Sequence, residues 1–67
     1  MELKINGEQR QIGDVKTVAD LLDALDVPSK KGVAVAVNDA VIPRGKWSQA
    51  TVDEGDRIEI IRATQGG

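Results

Sequence analysis

Gly66-Gly67 is the pair with the most chemistry to offer, and what it offers is a carboxylate. Read as a chain end, it sets that carboxylate on a stalk without side chains. Glycine lacks a Cβ, so such a stalk can adopt backbone angles and enter channels closed to other residues. Terminal carboxyls are ionised at neutral pH, and an ionised carboxylate is a poor acyl group until it is activated. As an acyl-adenylate, with AMP as leaving group, it becomes open to attack by sulfur or nitrogen. Glycine at both final positions leaves nothing to clash at the reacting carbon. Four extended residues, 64–67 (Thr64, Gln65, Gly66 and Gly67), span at most about 14 Å, enough to reach a recessed site in a partner. A frayed end is the plain alternative for any two terminal glycines, so the domain in front of them has to decide.

The residues that are missing narrow the chemistry further. The chain has no histidine, cysteine, tyrosine or phenylalanine. The usual general base, thiol nucleophile and soft metal ligands are therefore absent. Sulfur cannot ride on this chain as a cysteine persulfide; if it is carried at all, the Gly67 carboxylate is the natural place. The carboxylates and lysines are scattered through positions that read as exposed. An independent enzyme is not expected.

Sixty-seven residues make one domain with one small core. A chain this short buries only about 60% of its unfolded surface, which leaves little room for a deep pocket. With no disulfide to help, stability rests on apolar packing and should be modest. Apolar residues at 40% and charged residues at 30% suit a globular domain. No apolar run reaches membrane-spanning length and no signal-peptide pattern is visible, so the expected address is the cytoplasm, away from membranes. A net charge of −2 argues against nucleic acid, which needs a basic footprint.

The elements that would carry the tail can be read in order. Glu2-Leu3-Lys4-Ile5 alternates polar and apolar as a half-buried strand does. Asn6-Gly7 is a hairpin turn, because both residues tolerate positive φ. The return strand, 8–12, is polar and belongs at an edge. Thr17 caps a helix, with Asp20 in the reciprocal capping-box position. Val18, Leu21, Leu22 and Leu25 lie on one helix face, while Asp20, Asp23 and Asp26 fall on or near the solvated side. Pro28 marks the stop. Val33-Ala34-Val35-Ala36-Val37 is apolar on both faces and belongs inside a sheet. Asn38-Asp39 turns the chain into a short strand, Val41-Ile42, ended by Pro43. Residues 44–51 read as an irregular connection, and Arg57 to Arg62 as the last strand.

A hairpin and one helix can close a core only if the later strands join the same sheet. The fold class is therefore α+β, a mixed sheet of four to five strands with one main helix across one face. Its core should hold Leu3, Ile5, Val18, Leu21, Leu22, Leu25, Val33 or its alternate face, Ile58 and Ile60. The domain should span 1–63, with 64–67 as a flexible tail.

This order of elements ending in Gly-Gly resembles the β-grasp, or ubiquitin-like, fold. The match sharpens at Val33-Ala34-Val35-Ala36-Val37-Asn38, at Val41-Ile42-Pro43-Arg44 and at Trp47. It closes with Glu54-Gly55-Asp56-Arg57-Ile58-Glu59-Ile60 and Gly66-Gly67. Together these resemble the ThiS/MoaD family of sulfur carriers, with the ThiS branch of thiamine biosynthesis favoured by length. Residues 9–16 and 29–31 carry little of the resemblance. What it implies is a cycle in which a ThiF-type enzyme uses ATP to adenylate Gly67 and a sulfur donor enzyme converts it to a thiocarboxylate. A ThiG-type thiazole synthase then takes the sulfur. The chain itself would bind no cofactor or metal and would be a monomer when free. A MoaD-like subunit of molybdopterin synthase, a protein modifier joining Gly67 to a lysine, and a plain interaction module remain alternatives.

Beyond the tail, Ala34, Ala36 and Ile61 are placed on the sheet face opposite the helix. They form either a docking patch or ordinary scattered surface hydrophobes, and Arg57 and Arg62 flank them or are merely solvated. Trp47 either seals a satellite cluster with Val41, Ile42 or Val52 or serves as a binding hot spot. Pro43-Arg44 shapes the connection or meets a partner.

Overall fold

The computed structural model describes residues 1–27 and 32–62; calls that fall on 28–31 and 63–67, the Pro28 stop and the Thr64, Gln65, Gly66 and Gly67 tail among them, lie outside the described residues. Five strands form one mixed sheet: β1 (Glu2–Ile5), β2 (Glu8–Gln11), β3 (Val33–Val37), β4 (Ala40–Ile42) and β5 (Arg57–Arg62), with one helix, α1 (Val18–Ala24), among the described residues. The spatial order is β2-β1-β5-β3-β4. The first and last strands are parallel neighbours, with Lys4 beside Arg57 and Ile5 beside Ile58. The remaining pairs are antiparallel. This is the β-grasp arrangement expected from the sequence, and it puts the strand that leads toward the tail at the centre of the sheet.

Both hairpins close with two-residue turns of positive φ: Asn6 at 52° and Gly7 at 84°, then Asn38 at 50° and Asp39 at 72°. Mirror-image turns of this kind match the strand twist. Each turn asparagine also grips β5. Asn6 donates its backbone N–H to the Ile58 carbonyl at 2.9 Å. Its side-chain Oδ1 accepts from Ile60 N–H at 2.8 Å, and its Nδ2 donates to the Ile60 carbonyl at 3.2 Å. The amide thus extends the parallel ladder one step past the end of β1. Asn38 does the same on the other side, accepting from Arg57 N–H at 3.0 Å.

The start of α1 leaves no early donor unpaired. Val18 N–H reaches the Ala50 carbonyl at 2.9 Å and Ala19 N–H the Trp47 carbonyl at 3.0 Å. Asp20 N–H reaches Thr17 Oγ1 at 3.2 Å, and Asp20 Oδ2 accepts in return from Thr17 and Lys16 N–H. The connection that reads as irregular therefore does defined work. It opens with a 3₁₀ turn over Arg44–Lys46, started by Pro43, and its carbonyls then cap the helix. Pro43 shapes the chain here.

The helix ends earlier than Pro28. Asp26 takes φ of 57°, and the bonds Asp26 N–H to Asp23 O (3.1 Å) and Val27 N–H to Leu22 O (3.2 Å) make a Schellman closure. That turn swings Val27 into the core, while Leu25 is left only half-buried.

The core holds Leu3, Ile5, Ile12, Val18, Leu21, Leu22, Val27, Val35, Trp47, Val52 and Ile58, so Ile12, Val27, Trp47, Val52 and Val35, on the Val33 face of its strand, join residues the sequence marked. Val33, Leu25 and Ile60 pack at its margin. Trp47 is 5% exposed and belongs to the main core, not to a satellite cluster. Its Nε1 donates to the Ile42 carbonyl at 3.0 Å, which satisfies the one polar atom that burial would strand.

Candidate functional site

The site is built around β5. On the sheet face away from α1, register places Ala34 beside Ile61, Ala36 beside Glu59, and Ala36 beside Val41 on its other flank. Ile61 is 64% exposed and Val41 73% exposed, the two large hydrophobics left in solvent among the described residues. Ala34 is exposed and Ala36 half-buried between them. Ala34, Ala36 and Ile61 thus come together as the sequence suggests. Val41 completes the patch and lies far from the role of lining Trp47. A signal for it existed. A two-residue turn at Asn38-Asp39 forces Val37 opposite Ala40 and hence Val41 opposite Ala36, on the outer face.

The two arginines separate. Arg57 sits on the outer face with Glu59 and Ile61, where its Nη2 pairs with Asp39 Oδ2 at 3.0 Å. Both groups are well exposed, so the pair contributes little to stability. Arg62 pairs with Val33 and shares the parity of Ile58 and Ile60. It therefore lies on the helix side and does not flank the outer patch. Thr64, Gln65, Gly66 and Gly67 lie outside the described residues.

What surrounds β5 among the described residues is exposed and shallow. One depression, about 220 Å3, is open and lined by Lys4, Gly7, Asp39, Arg57, Ile58 and Glu59. Small-molecule sites usually run from about 300 Å3 upward, and this one mixes two cations with two anions on exposed stems. Among the described residues no cluster of side chains could hold a metal ion, and no helix is long and apolar enough to cross a membrane. A second, smaller crevice lies on the helix side between Arg10 and Arg62.

Known proteins match this chain along its whole length. The family model described as "ThiS family" matches residues 3–67. The sulfur carrier protein ThiS of Escherichia coli K12 is 34% identical over 67 residues, covering all of both chains. The thiazole synthase of Paramagnetospirillum magneticum is 42% identical over the same 67 residues, which span 20% of that protein. A crystal structure of a thiamine biosynthesis protein (ThiS) from Geobacter metallireducens superposes with a TM-score of 0.84 at 32% identity, covering all of both chains.

Proposed function

The chain belongs to the ThiS family, and on that premise we propose that it is a sulfur carrier for thiamine biosynthesis, with Gly67 as its reacting residue. The observation that carries this reading is the extent of the family match, which runs through Gly67 itself. The chain is a carrier, a co-substrate of other enzymes. Its glycine-ended tail follows a β5 strand fixed on both sides by β1 and β3.

The cycle needs three partners. A ThiF-type enzyme joins the Gly67 carboxylate oxygen to the α-phosphorus of ATP and releases pyrophosphate. A hydrosulfide equivalent from a donor enzyme then attacks the acyl carbon. The carbon–oxygen bond to AMP breaks, AMP leaves and a proton is lost, which gives the thiocarboxylate. A ThiG-type thiazole synthase receives the sulfur. Support for that last partner comes from thiazole synthases of Paramagnetospirillum magneticum and Magnetococcus marinus, each of which matches this chain over one fifth of its length.

The outer patch of Ala34, Ala36, Val41 and Ile61 is the docking face in this reading, with Arg57 at its border. Exposed apolar area beside the departing strand would hold the carrier while the tail reaches inward. Intact-mass measurement tests the whole proposal. Protein incubated with ATP, a ThiF-type enzyme and a sulfur donor should gain the mass of one oxygen replaced by sulfur, localised to the Gly67 peptide. An unchanged mass under those conditions overturns it.

A further inference from the structure

On the helix side of the sheet, a crevice crosses three strands and the end of α1. Its floor is Ile5, Leu25, Val27 and Ile60, and Arg10 and Arg62 stand at its sides with Asn6. No described residue lining it is acidic, although the chain as a whole carries net charge −2. Glu8 and Asp26 lie nearby in sequence without lining it. Neither arginine has an ion-pair partner among the described residues. Two exposed guanidinium groups over an apolar floor match a carboxylate carried next to a bulky apolar side chain, since arginine presents a planar fork to carboxylates. Arg62 is also the last described residue before the tail.

We infer that this crevice is a second docking point, which receives an acidic, apolar-flanked loop of the enzyme that activates the tail. The inference rests on the carrier reading above and deepens it. The activating enzyme grips β5 from both faces: apolar contact on the outer side, and a carboxylate on the helix side. Arg10 is the discriminating residue. It stands on β2, 57 positions from Gly67 in the chain, so a loss there is not a change in the tail's own sequence.

Two measurements test this. In the first, pyrophosphate exchange with a ThiF-type enzyme gives KM and kcat for the carrier. The double variant Arg10→Gln/Arg62→Gln should raise KM about tenfold with kcat unchanged, the size expected when two exposed arginine–carboxylate pairs are lost. Lysine at both positions should restore part of it, and the control Lys16→Gln should stay near wild type. A double variant that matches the control overturns the inference while leaving the carrier reading intact. Absence of exchange with the unaltered chain counts against the carrier reading instead.

The second measurement needs no enzyme. Titrating 15N-labelled chain with the blocked peptide acetyl-Ile-Glu-Leu-amide should shift the Arg10 and Arg62 Nε–Hε signals and the Val27 amide. The Gln-containing analogue should not. Equal responses to the two peptides, or none, overturn the proposal. Shifts that follow protein concentration instead would assign the crevice to a second copy and overturn it as well.

Discussion

At the scale of single residues, the chain divides between one position that would react and a few that hold β5 in place. Gly67→Val should abolish thiocarboxylate formation and leave the melting temperature unchanged, because the substitution adds bulk at the acyl carbon while the core is built from residues 3–58. Mass spectrometry after activation, paired with thermal unfolding, checks both halves. Asn6 offers a sharper structural case. Its side-chain amide makes two hydrogen bonds to Ile60 while its backbone holds φ of 52°. Asn6→Ala loses both bonds and strains a left-handed position, which should cost about 1–2 kcal/mol. Asn6→Gly loses the same bonds but keeps the backbone at ease, so it should be the milder of the two. Chemical denaturation of the pair separates the contribution of the bonds from that of the turn. The Asn-Gly turn was legible in the sequence because φ preference is local. That the same asparagine also extends the sheet was not, since its partner lies 54 positions away.

Among the elements, α1 shows how far local rules reach. Thr17, Asp20 and the 18, 21, 22 spacing were readable because capping and helix periodicity act within one turn. How the helix ends was less legible: Asp26, which the sequence put near the C-terminus, closes it from the left-handed region, while Pro28 lies outside the described residues. An aspartate there carries backbone strain and sets a negative charge at the negative end of the helix dipole. Asp26→Gly should therefore stabilise the domain by about 1 kcal/mol. In a domain of this size that raises the melting temperature by roughly 4–8 °C, readable by calorimetry. An unchanged or lower melting temperature would mean that the Schellman turn is not where the strain lies. Val27 follows from the same turn: its burial depends on a backbone reversal that hydrophobic periodicity cannot register. Arg62 is a different kind of miss, because period two alone places it with Ile58 and Ile60 on the helix side.

For the molecule as a whole, the layout follows from bringing the last strand to the centre. Parallel pairing of β1 with β5 gives the sheet two faces with different work. One face takes α1 and the core. The other keeps Ala34, Ala36, Val41 and Ile61 in water, and no second layer among the described residues covers them. The long-range pairing was inferred only as the way to close a core, which is why the five-strand order lay beyond the sequence while the presence of one sheet and one helix did not. An exposed apolar face on so small a domain is hard to justify by stability, because Ile61 and Val41 gain little from burial within the chain. Replacing both with aspartate should lower the unfolding free energy by about 1–2 kcal/mol, because aspartate suits strands poorly, and leave the domain folded. The same double variant should weaken transfer sharply if this face seats the activating enzyme, through a raised KM with the chemical step unaltered, since the carboxylates would have to be desolvated against an apolar partner surface. Thermal unfolding and steady-state activation kinetics on one preparation read both quantities. A stable variant that is activated as well as the parent chain would remove the outer face from the docking scheme and leave recognition to the tail and the arginine crevice.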